Sequence, residues 1–283
     1  MGTFRNLQVQ ILAALILSFA GYACAQTGLR IRTVSHTSGL PRFVDASDQT
    51  NTGYVQGPNS RFELPGFHSF GTEPEERTVI IQRCSDHVMY RLDLKSREYS
   101  ELPLPAELPK ETKEIKNRTE GPPNLAIETT VRDTGETKSA FGHTARHYIT
   151  TTKQTASPEL GIEPNETVED AWYLDIPDPR TCGPRPHGRT GLVGVGGGVG
   201  IGRGGPGALE KIRPEFKHSG PDPQGLMLSS KRTNKAIQIL QTGERQEQEF
   251  TTSTEIVEMS EERVDPALFE VPPGFKKVSQ VSH

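Results

Sequence analysis

Cysteine is scarce in this chain: 283 residues contain three. No two stand at C-x-x-C spacing and H-E-x-x-H does not occur, which removes the usual sequence signatures of a zinc site. G-x-S-x-G is absent too, so a serine nucleophile on a strand-to-helix elbow has no support. Long helical periods are nearly missing. Basic residues are not in excess, with 32 Lys and Arg against 36 Asp and Glu and a net charge of −4. No basic face advertises nucleic acid.

What is present begins with an apolar run, Ile11 to Ala20, behind a start whose only charge is Arg5, followed by small residues ending Ala23-Cys24-Ala25. That order is the three-part pattern of a secretory signal, with cleavage expected between Ala25 and Gln26. A membrane-spanning helix needs roughly 20 apolar residues, because each advances about 1.5 Å through a core of about 30 Å. This run is shorter. A retained anchor and a lipoprotein acylated at Cys24 are the alternatives; Gly21 stands where a lipoprotein signal carries a bulky aliphatic residue. The sequence therefore predicts an extracytoplasmic chain, periplasmic or secreted, with no transmembrane segment after cleavage.

Removing residues 1–25 leaves 258 of the 283. They are expected to form one domain whose core needs no metal. Cys24 leaves with the leader, and the two remaining cysteines, Cys84 and Cys182, are expected to pair, as cysteines of exported chains commonly do. Two separate thiols are the alternative.

Period-two alternation marks strands along the chain. Leu29, Ile31 and Thr33 suggest the first. Thr78 to Cys84 and Val88 to Leu94 form the clearest hairpin, and a tight turn near Lys95-Ser96 follows. Ile127, Thr129 and Val131 lead to an expected turn at Asp133-Thr134-Gly135-Glu136, then a threonine-rich strand through Tyr148 and Ile149. Ala171 to Ile176 is a short strand stopped by Pro177 and Pro179. Residues 181–207 are rich in Pro and Gly and bury too little side chain to offset backbone entropy, so a disordered insertion is expected. The strand pattern resumes at Leu226, Ala236 and Glu247, and Asp265 to Phe269 suggests one helical turn with proline at its first position.

Several short motifs bear on chemistry. Gly200 to Gly205 spells G-x-G-x-x-G, but neither a strand before it nor a helix after it accompanies the match, as dinucleotide binding requires. Asp133-Thr134-Gly135 spells the aspartic-protease triplet, which works only as two carboxylates sharing one proton. One copy occurs here, beside Arg132 and Glu136, and reads as an exposed turn. His143 and His147 share a strand face and could suit a metal, but no ligand-spaced carboxylate or cysteine joins them. Cys182 with His187 could suggest a thiolate, but the expected disulfide uses that sulfur first. Asn117 and Asn165 head glycosylation sequons and read as exposed loops.

Asp265 to Lys276, Tyr90 to Lys95 and Phe141 to Tyr148 together resemble uncharacterised exported bacterial proteins of the LolA/LppX/RseB half-barrel group. In that group a curved antiparallel sheet wraps helices, and its concave side can hold lipid or lipoprotein acyl chains. The strand pattern implies a mainly β chain with little helix, and the resemblance implies that its antiparallel sheet is curved and half-barrel-like. It also implies a non-enzymatic role: binding a lipid or another apolar envelope ligand. The alternatives are a structural protein docking an envelope partner, and more remotely an exported hydrolase. No catalytic residue, metal or cofactor is expected.

Overall fold

A computed structural model describes residues 26–39, 48–64, 78–104, 122–178, 182, 212–239 and 244–279. The expected leader and the 181–207 insertion, Cys182 apart, lie outside the described residues. So do the Gly200 to Gly205 run, Asn117 and His187.

The described chain is mainly strand, in one curved, unclosed sheet. Its thirteen strands are β1 (Gln26–Ser38), β2 (Gln49–Gln56), β3 (Asn59–Leu64), β4 (Thr78–Arg83), β5 (Val88–Asp93), β6 (Glu98–Pro103), β7 (Leu125–Ala140), β8 (His143–Ala156), β9 (Asn165–Leu174), β10 (Pro214–Ser219), β11 (Leu226–Ile239), β12 (Arg245–Val264) and β13 (Lys276–Lys277). Their spatial order is β10-β7-β8-β9-β11-β12-β1-β2-β3-β4-β5-β6-β13. The interior is antiparallel throughout. The two outermost strands pair parallel, β10 with β7 and β13 with β6.

Local chemistry sets the turns. Asp93 Oδ1 accepts from the amides of Lys95 (2.7 Å) and Ser96 (3.2 Å), closing the β5–β6 turn the sequence suggests. The next expectation is corrected. Residues 133–136 are not a hairpin turn but an irregularity inside β7, where the register shifts between Asp133 and Thr137. The strand continues to Ala140 and reverses at Phe141-Gly142, whose φ values of 51° and 80° are both left-handed. Two such residues match the twist of the flanking strands, which is what a two-residue hairpin needs. The expected turn near the end is a short 3-10 helix, Pro266–Phe269, with Asp265 Oδ1 accepting from the Ala267 amide at 2.9 Å. Asn165, expected in a loop, is the first residue of β9, paired with Gln154 and Ala236.

Two connections strap the sheet. Residues 220–225 carry the chain from the β10 edge over β7, β8 and β9 to β11. Four strand spacings of about 4.8 Å are close to what seven extended steps of about 3.3 Å reach. Residues 265–275 carry it from β12 across β1 to β6 before pairing as β13. The straps lie on opposite faces. His218 shares a face with Thr129 and Val131 and meets Asp222 at 3.2 Å, so the first strap lies over Val131, Tyr148, Ala171 and Tyr173, a buried cluster. By direct pairing that face carries Ser35 of β1. The second strap lies on the face of Arg30, Tyr54 and Arg61, because Arg61 donates to the Leu268 carbonyl at 3.3 Å. Leu268, Phe269 and Phe275 there close over Val79, Ile81, Leu92 and Val264.

A third cluster, with Ile31, Leu174, Leu226, Leu228 and Ile256 buried, sits where the β11–β12 ladder stops at Ser229↔Glu255. Beyond these clusters the long strands run on as polar sheet. Seven strands line up Ser38, Thr251, Thr233, Val168, Thr151, Thr130 and Ser219 in one cross-strand row. The neighbouring row on that face alternates in charge, Glu249, Lys235, Glu166, Lys153, Glu128, Lys217. Opposite charges facing each other across strands stabilise a sheet that has little apolar surface to bury there.

Candidate functional site

Cys84 opens the 3-10 turn that follows β4, and Cys182 follows β9; their sulfurs are bonded, with 5.0 Å between Cα atoms across a sequence separation of 98. The expected pairing is present, and its sulfurs are consumed as structure. The bond joins chain beyond β9 to the β4–β5 turn, strands that lie far apart in the sheet order. Such a bond is compatible with an oxidising, extracytoplasmic compartment.

The densest group of polar side chains gathers at the β7 irregularity. Thr134 Oγ1 lies 3.1 Å from His147 Nδ1, and His147 Nε2 lies 2.8 Å from Asp170 Oδ1. The ring stacks on Trp172 with centroids 4.7 Å apart, and Lys138 Nζ sits 4.3 Å from the centroid of the same indole. Glu136 Oε2 is 3.7 Å from Nδ1. Pairing explains the gathering: His147 lies opposite Trp172, and Asp170 opposite Ile149 is the next residue on that face.

A hydroxyl, an imidazole and a carboxylate in line invite comparison with a nucleophilic triad. The surroundings assign them another task. Thr134 Oγ1 also accepts from the Glu136 amide at 3.2 Å and lies 3.3 Å from the His147 carbonyl. The residue is only 8% exposed at His147. Its two ring nitrogens and one flat face are therefore occupied by protein. The group pins the irregular backbone of β7 to β8 and β9.

Asp133 is held separately. Its carboxylate accepts from the Gly135 amide at 2.9 Å and pairs with Arg146 at 2.6 Å. The bond from the Gly135 amide, above all, holds it below the usual carboxylate range against the opposing effect of desolvation, and the Arg146 guanidinium adds to the lowering. A carboxylate so held favours its charged form and is poorly suited to sharing a proton, the task the protease triplet requires. His143 and His147 do lie on one strand face, but each has its own carboxylate, His143 with Asp175 at 3.4 Å and His147 with Asp170. Among the described residues no group of three or more His, Cys, Asp or Glu side chains could hold a metal ion.

Sequence reasoning missed Asp170, Trp172 and Arg146 as partners, because strand register decides those contacts. It also missed β10 altogether. The alternation Glu215, Lys217, Ser219 against Phe216, His218 was a usable signal.

Fold and site together define a single-sheet β protein, strapped on both faces, tied by one disulfide and charged along its long strands. No family model matches the chain, and no curated protein matches it. No helix among the described residues is long and apolar enough to cross a membrane.

Proposed function

We propose that this chain is a non-enzymatic extracytoplasmic docking protein, which engages an envelope partner through the charged face of its long strands. The observation that carries this reading is the row Glu249, Lys235, Glu166, Lys153, Glu128, Lys217. Its ion pairs span Lys235 to Glu249 at 3.6 Å, Lys153 to Glu166 at 3.8 Å and Lys217 to Glu128 at 3.4 Å. These pairs are exposed or half-exposed, worth little to stability individually, and well placed to read a partner of complementary pattern. The disulfide and the expected leader support the location. The polar arrangement of the His147 group supports a structural rather than a catalytic role for it.

The half-barrel resemblance supports a second reading, carriage of a lipid on the concave side, and the curved, unclosed sheet is the observation in its favour. One experiment separates the two. The mature chain, captured from its native envelope, is split for protein cross-linking and for solvent extraction with lipid mass spectrometry. Docking predicts cross-linked partners that Lys153→Glu with Lys235→Glu abolishes and no stoichiometric lipid. Extracted lipid at near one per chain, with partners absent or unaffected by those changes, would replace docking with carriage.

A further inference from the structure

The sheet ends at β10, and among the described residues no strand lies beyond it. All six of its residues are exposed, and Phe216 is a large apolar side chain left 41% exposed there. The Leu125 amide donates to the Arg213 carbonyl at 3.3 Å, and the Arg213 amide donates to Asn124 Oδ1 at 2.7 Å, so both backbone groups of residue 213 face β7. Successive residues of a strand alternate in this respect. Glu215, Lys217 and Ser219 therefore face β7, while the backbone groups of Pro214, Phe216 and His218 face outward.

We propose that this edge docks a second copy of the chain, β10 against β10, antiparallel about a two-fold axis at Phe216. The sequence is self-complementary in that register. Phe216 meets Phe216 of the other copy, exchanging both backbone bonds as a hydrogen-bonded pair. Each His218 amide reaches the other copy's Pro214 carbonyl, and the missing proline amide falls at the end of the strand, where its loss is least felt. On the opposite side of the strand, Glu215 of each copy faces Lys217 of the other. Within one chain those two residues already meet at 3.5 Å, and Glu128 with Glu215 holds the Lys217 ammonium above its ordinary range. A register shifted by two residues would lose both Glu215–Lys217 matches and the Phe216 pair, and would set Lys217 against Lys217 or Glu215 against Glu215. An isologous pair is also what two-fold symmetry requires of a closed dimer.

A single strand pair buries less than the about 1,200 Å² at the lower bound of standard interfaces. Dissociation in the micromolar range or weaker is therefore expected, and the assembly does not depend on the docking reading above. The test is sedimentation equilibrium of the disulfide-bonded mature chain over a wide concentration range, with the fold of each variant checked by circular dichroism. The unaltered chain should show a reversible monomer to dimer equilibrium. Glu215→Lys alone and Lys217→Glu alone should each weaken it by about tenfold or more, because like charges then face each other twice. Mixing those two variants should restore a heterodimer, and the doubly exchanged chain should dimerise again by itself. A chain that stays monomeric to about 1 mM, or dimers that survive both single changes, would overturn the proposal. So would a mixture that fails to recover association, a result no loss of folding in one variant can imitate when both spectra are native.

Discussion

His147 Nε2 and Asp170 Oδ1 meet at 2.8 Å on a diagonal across the β8–β9 pair. A carboxylate accepts and does not donate, so this contact places a proton on Nε2 and leaves Nδ1 to Thr134. The histidine acts as a rivet through three adjacent strands.

Removing that rivet should be costly. His147→Ala loses two hydrogen bonds and a stacked ring at a site 8% exposed, and should destabilise the fold by roughly 2–4 kcal/mol. Asp170→Asn, which keeps the shape, should cost about 1 kcal/mol. Urea unfolding of both variants measures this, and a change below half a kilocalorie in His147→Ala would count against the structural role.

The disulfide closes a loop with a sequence separation of 98. In the chain-entropy account, replacing Cys84 and Cys182 by serine should lower stability by up to about 4–5 kcal/mol. Thermal unfolding with and without reductant would show it, and the oxidised chain should migrate faster than the reduced one in denaturing electrophoresis.

The C-terminal strap should detach as a unit. Phe269 is 2% exposed, and Arg61 holds the neighbouring Leu268 carbonyl. Phe269→Ala should cost roughly 3–4 kcal/mol. Limited proteolysis should then cut within residues 265–275 first. Unchanged cleavage would mean the strap is held elsewhere.

Acid should weaken the bonds that Asp133 accepts from the Gly135 amide and from Arg146. The folded carboxyl sits below its reference of 3.8, so its stabilising effect is present above that value and is lost as pH falls through the folded pKa. Asp133→Asn should flatten the loss of thermal stability below about pH 4. It should leave unfolding near neutrality less stable than the unaltered chain. Parallel acid profiles for the two chains would be inconsistent with this account.

Strand alternation made much of the fold legible. Val88 to Leu92 and Ile127 to Val131 have period two because one face of each is packed, and the Asp93 turn follows from a side chain that caps its own backbone. The Asp133 to Gly135 stretch misled, since Asp and Gly suit a turn and a strand irregularity equally well. Phe141-Gly142 carried no strong turn signature, and although β10 alternates locally, its place beside β7 is set across a long connection that local pattern cannot bridge.

The amino-acid sequence alone determined the mainly β class and many of the separate strands, because alternation is a local property of neighbouring side chains. It also left Cys84 and Cys182 as an expected pair. Only the tertiary structure decided which strands are neighbours. β1 lies beside β12, and β10 and β13 form the edges, because long-range pairing depends on which apolar faces two straps can cover at once. Register then brought His147 to Asp170, aligned glutamates with lysines across six strands, and turned the backbone of Phe216 outward.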